Sequence, residues 1–339
     1  MGALHVATPG LKVHKRGGQV EVVRPSDGIV YERLPLELVE ALVVYPGVEV
    51  TTRLLYTLAR MGRPVFLMDR DRVWVLGPSA FPGAAQLMRQ MERSKDEAFR
   101  LSTARAFVEA KLRSQATYLN LRARREAVKK EGCTESHREA AKELLVRAEK
   151  VREAKSIDSL RGLEGTASAL YFRALACGWK RYGFKGRRRR PPTDLINAAL
   201  SYGYALLLTE IIRALIQAEL HGEFGLYHET QRGKPSLALD LMEEFRVVAV
   251  DALVGRLVGG HRLGKKHLRP EGNGVYLNDE GRKILTQAFA GRMEEEQPLP
   301  EGGRARLVDI VLSQAQQLRD AIVHGKTYRP YFWELGGEL

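Results

Sequence analysis

GLYHETQRGKPSLALDLMEEFR, residues 225–246, is the stretch around which the rest of the chain is organised. A histidine, His228, sits in a glycine-flanked loop, a Lys-Pro-Ser break follows, and a helix then begins. Asp240, Glu243 and Glu244 are spaced i, i+3 and i+4 on that helix and project from one side of it. Clustered carboxylates repel one another unless a cation or several donors hold them. An acidic knot beside a histidine is therefore where chemistry is expected.

The surrounding chain is strongly basic. Its 54 Lys+Arg against 41 Asp+Glu leave a formal charge of +13, which predicts an anionic partner such as nucleic acid or a membrane surface. At 339 residues the chain is long enough for two domains. Cys133 and Cys177 form no CxxC or Cys/His ligand pattern, so neither a disulfide framework nor a zinc site is expected. The first residues lack the long apolar core of a signal peptide, which makes the cytoplasm the default location. Residues 195–220 are the one stretch that raises a membrane question. Asn197, Ser201, Thr209, Glu210, Arg213, Gln217 and Glu219 interrupt it, and a helix buried among other helices is expected rather than a membrane span.

Taken in order, residues 1 to about 77 read as short β-branched-rich strands broken by Pro-Gly, Gly-Gly and Asp-Gly. Val13, Val20 and Val22 flank Gly17-Gly18 with the alternation of a hairpin, and Leu54, Leu55, Leu58 and Met61 place one helix among the strands. PSAFPG at 78–83 breaks both periodicities and reads as a linker. From residue 84 helices dominate. The expected fold class is α+β: a small β-rich domain over 1–83 with its linker, followed by a larger all-α catalytic domain over 84–339.

Two further segments bear on chemistry. In the helix that begins near Ser156, Glu164 lies on the shoulder of an apolar stripe, flanked by Gly162 and Gly165. Alone it reads as a surface acid near a helix start. Residues 179–190, WKRYGFKGRRRR, interleave basic and aromatic residues without an acid, a footprint for a phosphate backbone. Lys185, Arg187, Arg188, Arg189 and Arg190 are its candidate DNA contacts. Thr193 or Asp194 caps the buried helix that follows.

Carboxylates and imidazole without cysteine suit a hard or borderline divalent ion, Mg²⁺ or Mn²⁺, and such an ion in a basic protein points to phosphoryl chemistry on nucleic acid. Spacing by itself leaves open the alternative that the acids are a solvated helix face and His228 is structural.

Four ordered segments, SLRGLEGTASALYF, GRRRRPPTDLINAALSYGYALL, GLYHETQRGKPSLALDLMEEFR and VYLNDEGRKILTQAF, span the chain from residue 159 onward. With them the sequence resembles, over essentially its whole length, the universal CRISPR-associated integrase family, CRISPR-associated protein one. The resemblance implies an N-terminal β domain used in homodimerisation and a C-terminal helical domain with metal-dependent DNA endonuclease and integrase activity. It also implies two such dimers bridging the small partner, CRISPR-associated protein two, with protospacer DNA inserted into the repeat array. Carried over by motif, the catalytic metal ligands are Glu164 from LEGTAS, His228 from GLYHE and Glu243 from DLMEE. Some relatives place Asp at the last position. Asp240 is implied as the acid supporting them, and Glu244 as the least important of the three helix acids. Asn197 and Tyr204 are implied to support the site from the buried helix, internal hydrogen bonding being the other reading. Glu164, His228 and Glu243 are thus expected to converge on one ion. A non-catalytic architectural DNA-binding protein and a branch-specific repair nuclease are the alternatives.

Overall fold

A computed structural model of the chain describes residues 3–69, 72–76, 83–128 and 132–334. The chain falls into two compact units, Met1–Ala80 with Asp279–Thr286, and Phe81–Asn278 with Gln287–Leu339. The expected linker lies outside the described residues except for Gly83.

The first unit contains β1 (Ala3–Val6), β2 (Lys12–Arg16), β3 (Gln19–Val23), β4 (Val30–Pro35), β5 (Ala41–Val44), β6 (Glu49–Val50), α1 (Thr52–Arg60), β7 (Val65–Asp69) and β8 (Arg72–Leu76). They form two four-stranded sheets, ordered β1-β5-β7-β8 and β4-β3-β2-β6. Arg16 pairs with Gln19 across the Gly17-Gly18 turn, and Gly17 takes φ 57°, a left-handed value that glycine adopts without a Cβ clash. Val13 faces Val22 across this hairpin and both are buried, as the alternation requires. β5 runs parallel to both β1 and β7, and all four residues of its ALVV are buried, the pattern of a central parallel strand. Leu54 and Leu58 of α1 join Val6, Val13, Val20 and Leu42 in the core.

The second unit is mainly helical: α2 (Ala84–Arg93), α3 (Glu97–Val128), α4 (Thr134–Lys150), α5 (Ile157–Trp179), α6 (Leu195–Gln217), α7 (Ser236–Phe245) and α8 (Ala252–Gly259). A π-helical segment, Arg246–Asp251, joins α7 to α8. The region was expected to be all-α. It instead carries two short antiparallel ribbons, β9 (Leu268–Glu271) with β10 (Gly274–Leu277), and β11 (Glu296–Pro298) with β12 (Arg304–Arg306). The remaining helices are α9 (Asp279–Glu294), whose residues Asp279–Thr286 count with the first unit, and α10 (Leu307–His324). Each ribbon strand has three or four residues, too few for an alternation to stand out beside the helical pattern.

Local chemistry explains where the site-bearing helices start. Ser156 accepts from Ser159 N–H while the Ser159 side chain accepts from Ser156 N–H, a reciprocal cap that begins α5. Of the two candidates for α6, Asp194 is the cap, accepting from Asn197 N–H at 2.9 Å. α6 is long and apolar enough to cross a membrane, but 78% of its most apolar window is buried inside the protein, the packing of a core helix.

The cysteines correct an expectation. Cys133, just before α4, and Cys177, in the last turn of α5, form a disulfide with their Cα atoms 5.8 Å apart. Local motif spacing does not register it, because tertiary packing of two helix ends joins residues 44 positions apart.

Close helix packing also has a test. A Cβ built on Gly203 of α6 would lie 2.6 Å from Val250 Cγ1, and Val250 is a stiff β-branched residue in the π segment. Gly162 of α5 has nothing within 4 Å of the same position. Gly203→Ala is expected to destabilise the protein by about 1–3 kcal/mol through overpacking. Gly162→Ala should stabilise it by up to about 1 kcal/mol through helix propensity. Urea unfolding of the two variants measures both signs.

Candidate functional site

His228 is placed by a buried carboxylate. Asp240 of α7 accepts from the backbone N–H groups of Leu226 (2.6 Å), Tyr227 (2.9 Å) and His228 (2.8 Å), and lies 2.6 Å from His228 Nδ1. The loop carbonyls are held as well: Arg100 donates to Leu226 O and Arg161 to Tyr227 O. A Cβ on Gly225 would lie 2.2 Å from His228 O, so only glycine allows this turn. With Nδ1–H donated to Asp240, the lone pair of His228 Nε2 is directed away from the loop for use elsewhere.

One turn further along α7, Glu243 meets Glu164 of α5. The two are joined by Lys111 of α3, whose ammonium ion-pairs with Glu164 Oε1 and lies 2.8 Å from Glu243 Oε2. Arg246 Nε lies 3.0 Å from the same Glu243 oxygen. Ser168 donates to Glu164 Oε1 at 2.8 Å. Burial opposes ionisation of Glu243, but Arg246 and Lys111, helped by His228, hold its carboxyl well below the usual range. Glu243 Oε2 and Arg246 Nε are nevertheless buried without a well-directed hydrogen bond; their attraction is one of charge. Burial, followed by Glu164 and Glu243, raises the neighbouring Tyr227 hydroxyl far above its ordinary range.

Glu244 turns elsewhere. Its Oε1 accepts from the Tyr328 hydroxyl and its Oε2 from Tyr331 N–H at 2.8 Å, so it anchors the segment after α10. Burial pushes its carboxyl up to about 8, with the two donors partly opposing. Tyr331 stacks on Phe245 with ring centroids 5.6 Å apart, and Trp333 N–H donates to Ser114 of α3. The three acids that share a side of α7 in the sequence thus have three separate sets of partners.

The π segment shapes the other flank. Its first residue, Arg246, lies 4.7 Å from the Tyr204 ring centroid, and its last, Asp251, accepts from the Tyr204 hydroxyl at 2.6 Å and the Tyr171 hydroxyl at 2.8 Å. Burial raises the Asp251 carboxyl, while the two tyrosines and Arg246 oppose that rise. Tyr204 therefore reaches Glu243 through Arg246. Asn197 does not face the acids. Its carbonyl oxygen accepts from Arg187 and from Arg188 N–H, and its amide donates to Gly186 O and Asp194, so it ties the basic loop to the start of α6.

Arg187 itself points inward, donating to Asn197 and Ser201 and lying 5.5 Å from the Tyr204 centroid. Lys185, Arg188, Arg189 and Arg190 are exposed. A cavity of about 540 Å³ opens beside Glu164, with Lys111, Arg173, Lys185, Arg187, Arg189 and Arg246 among its lining residues. Basic groups outnumber the acids Glu164 and Asp251 there, so the cavity suits an anion.

A sequence model of the family described as "CRISPR associated protein Cas1" matches residues 4–291. The chain belongs to the Cas1 family. It is 38% identical over 331 residues to "CRISPR-associated endonuclease Cas1 1" of Thermus thermophilus, covering 97% of this chain and 98% of that protein. Two solved structures share the Cas1 fold. One is a casposase bound to integration product, at TM-score 0.83 and 21% identity, with 97% of this chain and 93% of that one covered. The other is a chain of a Cas6-RT-Cas1–Cas2 complex, at TM-score 0.80 and 22% identity, with 98% and 36% covered. Cas1 proteins form an endonuclease and integrase family.

This Cas1 places Glu164 and Glu243 on one lysine, and His228 close enough to bias Glu243. Among the described residues no three His, Cys, Asp or Glu side chains gather closely enough to hold a metal ion. The donor chemistry nonetheless fits a divalent ion: two carboxylates, an imidazole whose other nitrogen is committed, and a buried Glu243 oxygen without a directed donor.

Lys111 and Asp251 are absent from the sequence-based set. Lys111 does leave a trace: Phe107, Lys111, Ser114 and Tyr118 share the buried face of α3, where a lysine requires a counter-charge. Asp251 has no such signal, because a π turn shifts the helical phase on which its neighbours would be inferred.

Asp240→Ala removes the acceptor of three backbone donors. It is expected to cost about 3 kcal/mol or more in stability, with Asp240→Asn losing less because one oxygen remains. Urea unfolding of both variants measures the order.

Proposed function

We propose that this Cas1 is a metal-dependent DNA integrase and endonuclease that joins a DNA 3′-hydroxyl to a phosphodiester of the CRISPR array. The observation that carries this reading is that Lys111 joins Glu243 to Glu164, and Glu164 lines a cavity of basic side chains. A repair nuclease would share that geometry; the family's endonuclease and integrase character, and the likeness to a casposase bound to integration product, favour joining.

Glu164, His228 and Glu243 would hold the ion, Mg²⁺ or Mn²⁺. Such an ion, when bound, neutralises charge developing on phosphorus and on the attacking and leaving oxygens. The protein's own groups do the rest. Asp240 holds the imidazole by Nδ1 and leaves Nε2 for the ion, and Arg246 offsets charge on Glu243. Arg173, Lys185 and Arg189 receive the DNA phosphates at the cavity. In the exchange, the 3′-oxygen forms a new P–O bond while the bond to the leaving oxygen breaks, and hydrolysis replaces the attacking hydroxyl with water.

DNA and Cas2 are the proposed partners. The solved complexes with integration product and with Cas2 support them, and the strand-rich unit is the proposed homodimer surface.

Glu164→Ala, His228→Ala and Glu243→Ala should each lower metal-dependent strand transfer at least about 100-fold while leaving DNA binding largely intact. A branched-DNA assay that resolves joined from merely cleaved products checks this and separates integrase from nuclease. Replacing Arg188, Arg189 and Arg190 together with Gln should lower the salt-dependence slope of DNA binding by about 2–3. Arg187→Gln should act chiefly on stability, because its side chain holds Asn197 and Ser201. Binding isotherms across a salt series, with thermal melts, distinguish the two.

A further inference from the structure

The acidic pair already has a cation. Lys111 is only 7% exposed and its ammonium lies against both Glu164 and Glu243, whose side chains are 20% and 6% exposed. With Arg246 on the same Glu243 oxygen, two carboxylates face two positive charges, and the group is formally neutral before any ion arrives. A divalent ion drawing on the same carboxylates would add two charges to a buried, balanced cluster. It would draw on the same two carboxylates that hold the ammonium, and the two cations would repel each other across them.

We propose that Lys111 is the resident counter-ion of the Glu164–Glu243 pair and is displaced by the incoming divalent ion into the adjoining cavity. The proposal rests on the metal reading above. Lys111 lines that cavity on a flexible four-carbon stem, so the ammonium can leave the carboxylates without moving α3. The displaced ammonium joins the basic cavity wall. The ion's arrival therefore makes the phosphate pocket more positive. Lys111 is in this sense a positioning residue: it keeps the two acids together without an ion and sets how strongly an ion must bind to replace it.

Mn²⁺ affinity provides the test, read from the free-ion electron paramagnetic resonance signal on the full chain without DNA. Lys111→Met removes the competing charge and nearly preserves side-chain length. Its Mn²⁺ dissociation constant should fall by about tenfold or more, since a site blocked most of the time by lysine shows a proportionately weaker apparent affinity. In chelator the variant should melt below the wild type, and Mn²⁺ should raise its Tm by more. Equal or weaker Mn²⁺ binding by the variant overturns the proposal while leaving the metal site intact. Glu164→Gln should weaken binding in both backgrounds. If neither the wild type nor the variant binds Mn²⁺, the metal reading fails, and the proposal with it. Should Lys111→Met not fold, Lys111→Gln serves in its place. A wild-type crystal soaked in Mn²⁺ needs no variant: an ammonium still bridging the two carboxylates beside a bound ion overturns displacement.

Discussion

Burying a carboxylate without a partner costs several kcal/mol, and α7 buries three within five residues. Much of the second unit answers that demand. Asp240 is satisfied by the backbone of the loop before it, Glu243 by cations from α3 and the π segment, and Glu244 by the segment after α10. Because the partners come from three directions, holding the acids also fixes three pieces of chain around one helix. The loop carrying His228 is in register with Glu243 for this reason: one side chain of α7 sets the loop, and the next turn of the helix presents the acid.

Positive charge is distributed by a similar economy. Arg246 serves both Glu243 and the face of Tyr204, and Tyr204 spends its hydroxyl on Asp251. The π turn makes this sharing possible by bringing the first and last residues of a six-residue segment to one tyrosine. Asn197 likewise spends all its polar atoms on shaping the basic loop, leaving Arg188 and Arg189 exposed beside the inward-facing Arg187.

What could be read from the residues followed the range of the interactions involved. The Gly17-Gly18 hairpin, a cap at Thr193 or Asp194 and the buried character of α6 depend on neighbours in sequence, and local pattern was enough for them. The carboxylate spacing on α7 was visible too, but not its division among three partners, because those partners approach from distant parts of the chain. Resemblance singled out Glu164, which local context would have left as a surface acid. Lys111, Asp251 and the Cys133–Cys177 bridge belong to contacts between helices, and helix periodicity carries no information about which helix lies opposite. The β9–β10 and β11–β12 ribbons escaped for a different reason, being shorter than the window over which alternation is recognised.

The anchoring of Glu244 has a consequence for the order in which the protein is made. Tyr328 and Tyr331 follow it by 84 and 87 residues, so α7 leaves the ribosome long before its backing exists. Until that segment emerges, Glu244 is open to water and carries its charge, and the face of α7 that packs Phe245 against Tyr331 is uncovered. A chain that stops short of that segment lacks the backing of the helix that bears Glu243.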